Sequence, residues 1–285
     1  MPSTELSRRF EVPGAVLAWD AFGPPAASAA PLVLVHGFSG SSFDFAGVIP
    51  ALSVDRPVLV LDQRGHGGSS KLGATEGAYS IEVLRDDLVA WLQAVTGGDP
   101  VHLLGHSMGG RVVMETAIAR PDLVRSLVLM DTSAGGFRAP DEATEQMVGA
   151  FLAAFDPSGG LPDLTTMRGP EDELIEAALP PAWREARDAQ WRRFDPYALA
   201  VLGRELRRLA ERPLYAALGT LSCPATVIVG ERDLPLVEEA PRISAAIPGA
   251  ELVVLPGAYH SPQLTHAAAW VAAVESHLAR AEATS

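Results

Sequence analysis

Three short stretches of the sequence carry residue types that together can perform nucleophilic catalysis. Ser107 lies in GHSMGG, between an apolar run and a segment with helical periodicity. Asp233 lies in GERD after the run ATVIV, and His260 lies in GAYHSP after the run ELVVL. A serine hydroxyl becomes a nucleophile when a histidine takes its proton and an acid orients that histidine. The order serine, acid, histidine predicts a triad of Ser107, Asp233 and His260.

The glycines around Ser107 indicate the local structure. The pattern G-x-S-x-G between a strand and a helix is typical of a nucleophile elbow, a strained turn that presents the serine. Side chains at Gly105 or Gly109 would collide where the strand and the helix pass each other. The helix directs its first N–H groups at the reaction centre, so the Met108 amide is predicted to stabilise an oxyanion. Neither a G-x-G-x-x-G nor a P-loop pattern is present, which disfavours a nucleotide site.

The acid and the base each have rivals in the sequence. Asp131 follows the run SLVLM, and chain order alone permits it as the acid. Asp233 is favoured because it lies three residues after Gly230 and can turn back toward the histidine. Glu231 is expected to be a solvated or ion-paired loop charge. His266 and His277 are assigned to the terminal helix, where packing or solvated roles are expected.

Composition excludes several classes of function. The 285 residues carry a net charge of −13 and no basic tract, which argues against a nucleic-acid surface or a polybasic membrane patch. The single cysteine, Cys223, suits a reducing compartment. The first residues do not read as a secretory signal, and the longest apolar run, 267–274, is too short to span a bilayer. We therefore expect a cytoplasmic protein.

The elements that must position the triad alternate along the chain. Short Val- and Leu-rich runs predict buried strands that begin near residues 32, 58, 101, 126, 225 and 251. Segments with helical spacing lie between them, among them 80–95 with Ser80 as N-cap. This alternation predicts an α/β fold, in which a mostly parallel central sheet is covered by helices on both faces. The stretch GAVLAWDAFG, residues 14–23, is expected to add an antiparallel edge strand.

The alternation of strand-like and helical segments stops between the apolar runs that begin near residues 126 and 225. Residues 134–221 are helical in pattern, polar and free of strand-like runs. We expect them to form a helical cap, inserted into a core domain made of residues 1–133 and 222–285.

Taken in order, these motifs resemble the α/β-hydrolase superfamily over nearly the whole chain. LVHGFSGSSFDF, residues 34–45, is similar to the family's oxyanion loop, and LDQRGHGGSS, residues 61–70, to its D-x-R-G-H-G-x-S loop. The elbow, acid and histidine loops follow. Serine at the elbow separates this chain from the haloalkane dehalogenases and epoxide hydrolases of the superfamily, which use aspartate there.

The resemblance implies roles for residues beyond the triad. The amide of Phe38 joins that of Met108 in an oxyanion hole, and three residues of the second loop, Asp62, Arg64 and His66, are structural. The segment 134–221 resembles the superfamily's helical cap. Candidates for an apolar substrate pocket are Phe38, Trp183, Trp191 and Tyr259, although the cap tryptophans also suit the cap's own core.

The predicted chemistry is acyl transfer to water, with a carboxylic ester or lactone of a small, largely apolar molecule as substrate. No metal is expected, because His102 and His106 do not share a helical face. No cofactor is expected, because the sequence has no cofactor fingerprint. Alternatives are a C–C bond hydrolase of a diketone, a thioesterase and a menaquinone-pathway lyase, whose elbow also carries arginine, here Arg111. A ligand receptor without catalysis is the alternative outside enzymes. The oligomeric state is left open.

Overall fold

The computed structural model describes residues 5–25, 29–135, 141–154, 169–234 and 236–283, and these contain an eight-stranded sheet. The strands are β1 (Arg8–Val12), β2 (Ala15–Phe22), β3 (Leu32–Val35), β4 (Val58–Asp62), β5 (Val101–His106), β6 (Val124–Met130), β7 (Ala225–Gly230) and β8 (Glu251–Leu255). Their order in the sheet is β1-β2-β4-β3-β5-β6-β7-β8. β2 pairs antiparallel with β1 and β4, and all other neighbours pair parallel.

Helices follow most of the parallel strands. They are α1 (Ile49–Leu52), α2 (Ile81–Thr96), α3 (Met108–Ala119), α4 (Glu142–Ala153), α5 (Pro170–Ala178), α6 (Pro181–Trp191), α7 (Pro196–Arg207), α8 (Tyr215–Leu218), α9 (Leu236–Ala246), α10 (Pro262–Thr265) and α11 (Ala267–Ala283). α2 begins where expected, because the Ser80 hydroxyl accepts a 3.1 Å hydrogen bond from the Val83 amide. α2 ends at Gly97, whose φ of 70° is open to glycine.

The sheet divides the core into two layers. Alternate strand residues lie on opposite faces, so neighbours such as Val33 and Leu34 belong to different apolar clusters. One cluster packs the sheet against α2, α3 and α9, and the other packs it against α1 and α11. Apolar helices therefore cover both faces, which confirms the predicted α/β fold.

Three strands, β1, β2 and β8, differ from the sequence expectation. The run predicted as an edge strand forms β2, which lies one strand inside the edge because β1 pairs with it. β1 itself has no clear apolar alternation and was not predicted. β8 is apolar in sequence but forms the opposite edge, where Leu252 and Val254 are exposed. An apolar run reports strand propensity, whereas its place in the sheet depends on pairing with distant residues.

The segment predicted as a cap contributes α4 to α8 between β6 and β7. Residues 136–140 and 155–168 of this segment lie outside the described residues. The start of α7 is bonded to the core, since the Asp195 carboxylate accepts from the Tyr79 hydroxyl at 2.6 Å and the Gly73 amide at 2.8 Å. Within the described ranges, no helix combines the length and apolarity needed to cross a membrane.

Candidate active site

Ser107 occupies a strained turn between β5 and α3. Its φ of 54° and ψ of −119° lie where residues other than glycine are rarely found. The turn is held from the neighbouring strand: the Ser107 amide donates to the Met130 carbonyl at 2.9 Å, and the Thr132 hydroxyl donates to the Ser107 carbonyl at 2.6 Å. These contacts fix the conformation that a nucleophile elbow requires.

Glycine is required on both sides of Ser107 because backbones meet there. A Cβ added to Gly105 would lie 2.4 Å from the Gly109 carbonyl oxygen. A Cβ added to Gly109 would lie 2.4 Å from the carbonyl oxygens of Val35 and His36. The helix after the serine therefore passes against both β5 and β3, as the motif predicts.

His260 and Asp233 meet at the same edge of the sheet as Ser107. The residues follow β8, β7 and β5, and the carboxyl ends of these parallel strands lie together. The Nδ1 atom of His260 lies 2.8 Å from Oδ2 of Asp233. The Nε2 atom of His106, the residue before the serine, donates to the His260 carbonyl at 2.8 Å. These bonds tie the histidine loop to both the acid and the elbow.

His260 and Asp233 each stabilise the charged form of the other. Burial lowers the pKa of His260, but the charge of Asp233 and its hydrogen bond, with a further contribution from Glu171, raise it to about 9. Burial alone would raise the pKa of Asp233, yet the His260 charge and hydrogen bond hold it below its usual range. The arrangement favours an imidazolium–carboxylate pair, which is the charge state that forms when a serine gives its proton to a histidine.

Asp131, the rival acid, lies beside Asp233 and has a different role. Its Oδ1 accepts from the Gly230 amide at 2.8 Å, and its buried Oδ2 has no hydrogen-bond donor among the described residues. Burial, the Asp233 charge and a hydrogen bond with Asp233 raise the pKa of Asp131 well above its usual range. Asp131 therefore holds a proton more readily than Asp233 does.

The predicted oxyanion loop passes directly over the elbow. A Cβ added to Gly37 would lie 3.0 Å from the Cβ of Ser107, so this residue must be small. Phe38 follows it and is 6% exposed. The Met108 amide lies in the first turn of α3, where N–H groups have no partner within the helix. Phe38 thus follows a residue that contacts Ser107, and Met108 follows Ser107 itself.

The loop after β4 braces the oxyanion loop. The Nε2 atom of His66 donates to the Phe38 carbonyl at 2.7 Å, and the Asp62 carboxylate accepts from the Ser42 amide at 2.8 Å. Arg64 makes two hydrogen bonds, at 2.5 and 2.6 Å, to the buried carboxylate of Asp87. None of these three side chains bonds to Ser107 or His260, so their geometry is that of a scaffold.

The aromatic residues proposed for the pocket are distributed over several surfaces. Trp183 of α6 packs on Phe43 of the short 3₁₀ helix Ser42–Phe45, with ring centroids 5.9 Å apart. Trp191 packs edge to face on Phe194 at 5.0 Å. Tyr259 is half-buried, with the Arg232 guanidinium 5.7 Å from its ring centroid. Trp183 thus contacts the last part of the oxyanion loop, whereas Trp191 contacts Phe194 of its own segment.

The other downstream histidines lie away from this arrangement. His266 ends α10 rather than belonging to the terminal helix, and its Nδ1 atom lies 2.9 Å from the Thr265 hydroxyl. His277 of α11 is buried, with its ring nitrogens 2.7 Å from Ser126 Oγ and 2.8 Å from Thr226 Oγ1. Neither forms a hydrogen bond with Asp233 or Ser107. In the described part of the chain, no group of three or more metal-ligating side chains is arranged to hold an ion.

Two residues of the site were not predicted from the sequence. Glu171 of α5 accepts from the Ser261 amide at 2.5 Å, and His106 holds the His260 carbonyl. Glu171 is one of many acidic residues in a polar helical segment, so no local signal marks it. For His106 the sequence expectation concerns only metal binding, although its place inside the elbow motif is a signal that it lies near Ser107.

The fold and the strained serine turn define the class of protein. A sequence profile of the alpha/beta hydrolase fold matches residues 30–267. The chain therefore belongs to the alpha/beta hydrolase family.

The chain is similar to proteins with different named activities, among them an ester hydrolase. A pimeloyl-[acyl-carrier protein] methyl ester esterase from Aeromonas hydrophila is 30% identical, over 86% of this chain and 93% of that protein. The dihydrolipoyllysine-residue acetyltransferase component of an acetoin cleaving system from Pseudomonas putida is 30% identical over 90% of this chain, which spans 65% of that protein's length. Among solved structures, a thermophilic esterase from Thermogutta terrifontis has a TM-score of 0.73 and 26% identity, over 96% of this chain and 99% of that one.

Proposed function

We propose that this hydrolase is a serine hydrolase that cleaves a carboxylic ester or lactone of a small, largely apolar substrate. The observation that carries the proposal is the 2.8 Å bond from His260 to Asp233, beside a strained serine turn at the same sheet edge. The methyl ester esterase among the relatives supports an ester as the bond cleaved.

In the proposed mechanism Ser107 Oγ attacks the substrate carbonyl carbon while His260 Nε2 takes the hydroxyl proton. The Asp233 carboxylate holds the Nδ1 side of the ring and stabilises the imidazolium. The amides of Phe38 and Met108 donate to the oxyanion of the tetrahedral intermediate. The C–O bond to the alcohol then breaks, and His260 gives its proton to the departing oxygen. His260 then takes a proton from water, which attacks the acyl carbon. The bond to Ser107 Oγ breaks, the serine regains its proton from His260, and the acid is released.

The proposed pocket lies between a core of residues 1–133 and 222–285 and a cap of residues 134–221. Phe38 and Trp183 suit its apolar wall, because one belongs to the oxyanion loop and the other packs on Phe43 of the same loop. Tyr259 and Trp191 are further candidates. Side chains and water alone supply the proposed chemistry.

The test is hydrolysis of p-nitrophenyl esters from C2 to C12 by the wild-type protein and by Ser107→Ala. We expect turnover by the wild type, with the best chain length reporting pocket size, and background rates for Ser107→Ala. Ser244→Ala on α9, whose hydroxyl makes one 3.3 Å bond to the Ala250 carbonyl, is the matched control and should behave as wild type.

Labelling by a fluorophosphonate separates the two parts of the proposal. Labelling of Ser107 without turnover of any ester would keep the nucleophile and reject the ester bond, so diketones and thioesters would be assayed next. A wild-type protein that neither labels nor hydrolyses would overturn the serine mechanism.

A further inference from the structure

One carboxylate reaches the histidine loop from outside the core. Glu171 is the second residue of α5, and its Oε1 atom accepts a 2.5 Å hydrogen bond from the Ser261 amide. Ser261 directly follows His260, and α5 packs along α10, the short helix that continues this loop. A residue of the segment between β6 and β7 thus holds the backbone that carries the proposed base.

The negative charge of Glu171 acts on the same imidazole. It favours the charged form of His260, adding to the effect of Asp233. In return, the His260 charge offsets the cost of burying Glu171, whose pKa burial raises above its usual value. Other ionisable groups on the elements packed around this contact are Asp131, Asp172, Asp44, His106 and Arg187.

The role that these contacts indicate for Glu171 goes beyond the mechanism proposed above and rests on it. We propose that Glu171 is a positioning residue of the active site: it anchors the histidine loop through the Ser261 amide and places a second negative charge beside the His260 imidazolium that forms during acyl transfer. Two carboxylates then control the position and the charge of His260, the proposed base. Asp233 belongs to the core and fixes the ring, and Glu171 links the ring's charge to the packing of α5.

Two substitutions separate the hydrogen bond from the charge. Glu171→Gln keeps a side-chain oxygen for the Ser261 amide but removes the charge. Glu171→Ala removes both. Glu173→Gln makes the same chemical change two residues further along α5, at an exposed position, and is the matched control.

The readout is the rate of Ser107 labelling by a fluorophosphonate, measured from pH 6 to 10. Labelling requires neutral His260, and it can be measured without knowing the substrate. For Glu171→Gln we expect the midpoint of the acidic limb to fall by about 0.5 to 1 in pH, because the imidazolium loses a favourable charge. The plateau rate should fall about threefold to tenfold. Glu171→Ala should show the same shift with a larger loss of rate, and Glu173→Gln should follow the wild type.

An unchanged midpoint in Glu171→Gln would overturn the proposal, even if Glu171→Ala were slow, since slowness alone reflects a structural role. Should Glu171→Ala not fold, Glu171→Gln carries the test. If the wild type does not label at all, the proposed function fails separately. Titration of the His260 Cε1–H resonance by NMR, assigned with His260→Gln, then decides the charge effect: a lower His260 pKa in Glu171→Gln supports it and an equal pKa rejects it.

Discussion

His106 and His260 contact each other through a hydrogen bond and through their rings. The Nε2–H of His106 donates to the His260 carbonyl oxygen over 2.8 Å, and the two rings lie 4.8 Å apart. Burial and the His260 charge lower the pKa of His106 to about 3, so its ring stays neutral. Because His106 precedes Ser107, this bond sets the distance between the turn of the proposed nucleophile and the loop of the proposed base.

We expect His106→Ala to lower kcat for the preferred p-nitrophenyl ester by about tenfold, since small displacements in an active site are costly. The variant should also lose about 1 kcal/mol of stability, because the part-buried His260 carbonyl loses its donor. His106→Gln carries an amide donor and should recover part of the rate. Steady-state kinetics and urea unfolding measure both effects; a wild-type kcat in His106→Ala would show that the bond does not position the base.

Asp233 and Asp131 should respond differently to the same change. Asp233→Asn removes the negative charge that orients His260, so we expect kcat to fall by about 10³ to 10⁴. Asp131→Asn replaces the acid whose pKa is raised with a neutral amide, whose oxygen can still accept from the Gly230 amide. It should stay within about threefold of the wild type. Kinetics on the same ester compare them, and the reverse ranking would make Asp131 the orienting acid.

Gly109→Ala should destabilise the fold by more than about 2 kcal/mol, since its Cβ would lie 2.4 Å from two backbone oxygens that cannot move independently. Gly149→Ala in α4 is the matched control. No described atom lies within 4 Å of its added Cβ, and the change should stabilise the helix by about 0.5–1 kcal/mol. Urea unfolding tests the pair, and equal midpoints would mean that the elbow tolerates a side chain.

The buried histidines at the other end of the sheet should make stability depend on acid pH. Burial, the Arg280 charge and His102 lower the pKa of His277 to about 3, and burial with the Arg56 charge lowers that of His102 to about 4. Both are neutral when folded, whereas the unfolded chain takes up protons below about pH 6.5. Their contribution is therefore complete above that pH and is lost as the pH falls toward 4, by about 1.4 kcal/mol per pH unit for each.

His277→Gln removes one of these groups and leaves every carboxylate in place. The difference in unfolding free energy between wild type and variant should therefore shrink as the pH falls from 7.5 to 5. Chemical denaturation at several pH values measures this difference. A constant difference would mean that His277 takes up its proton equally in the folded and unfolded protein, so that its pKa is not lowered by folding.

The sequence by itself determined the elements and the elbow, because the information for both is local. Runs such as ATVIV read as strands from residue types alone, and the helix from Ile81 reads from apolar spacing with a serine cap. The crowding at Gly105 and Gly109 follows from the motif, since two backbones must pass within contact distance there.

Only the tertiary structure decided which groups meet. Asp131 and Asp233 both follow buried strands, and their separate roles depend on which one is hydrogen-bonded to His260. The bonds from Glu171 to Ser261 and from His106 to His260 join residues 90 and 154 positions apart. No local pattern encodes such contacts, because they arise where the helices of the inserted segment and the ends of neighbouring strands pack together.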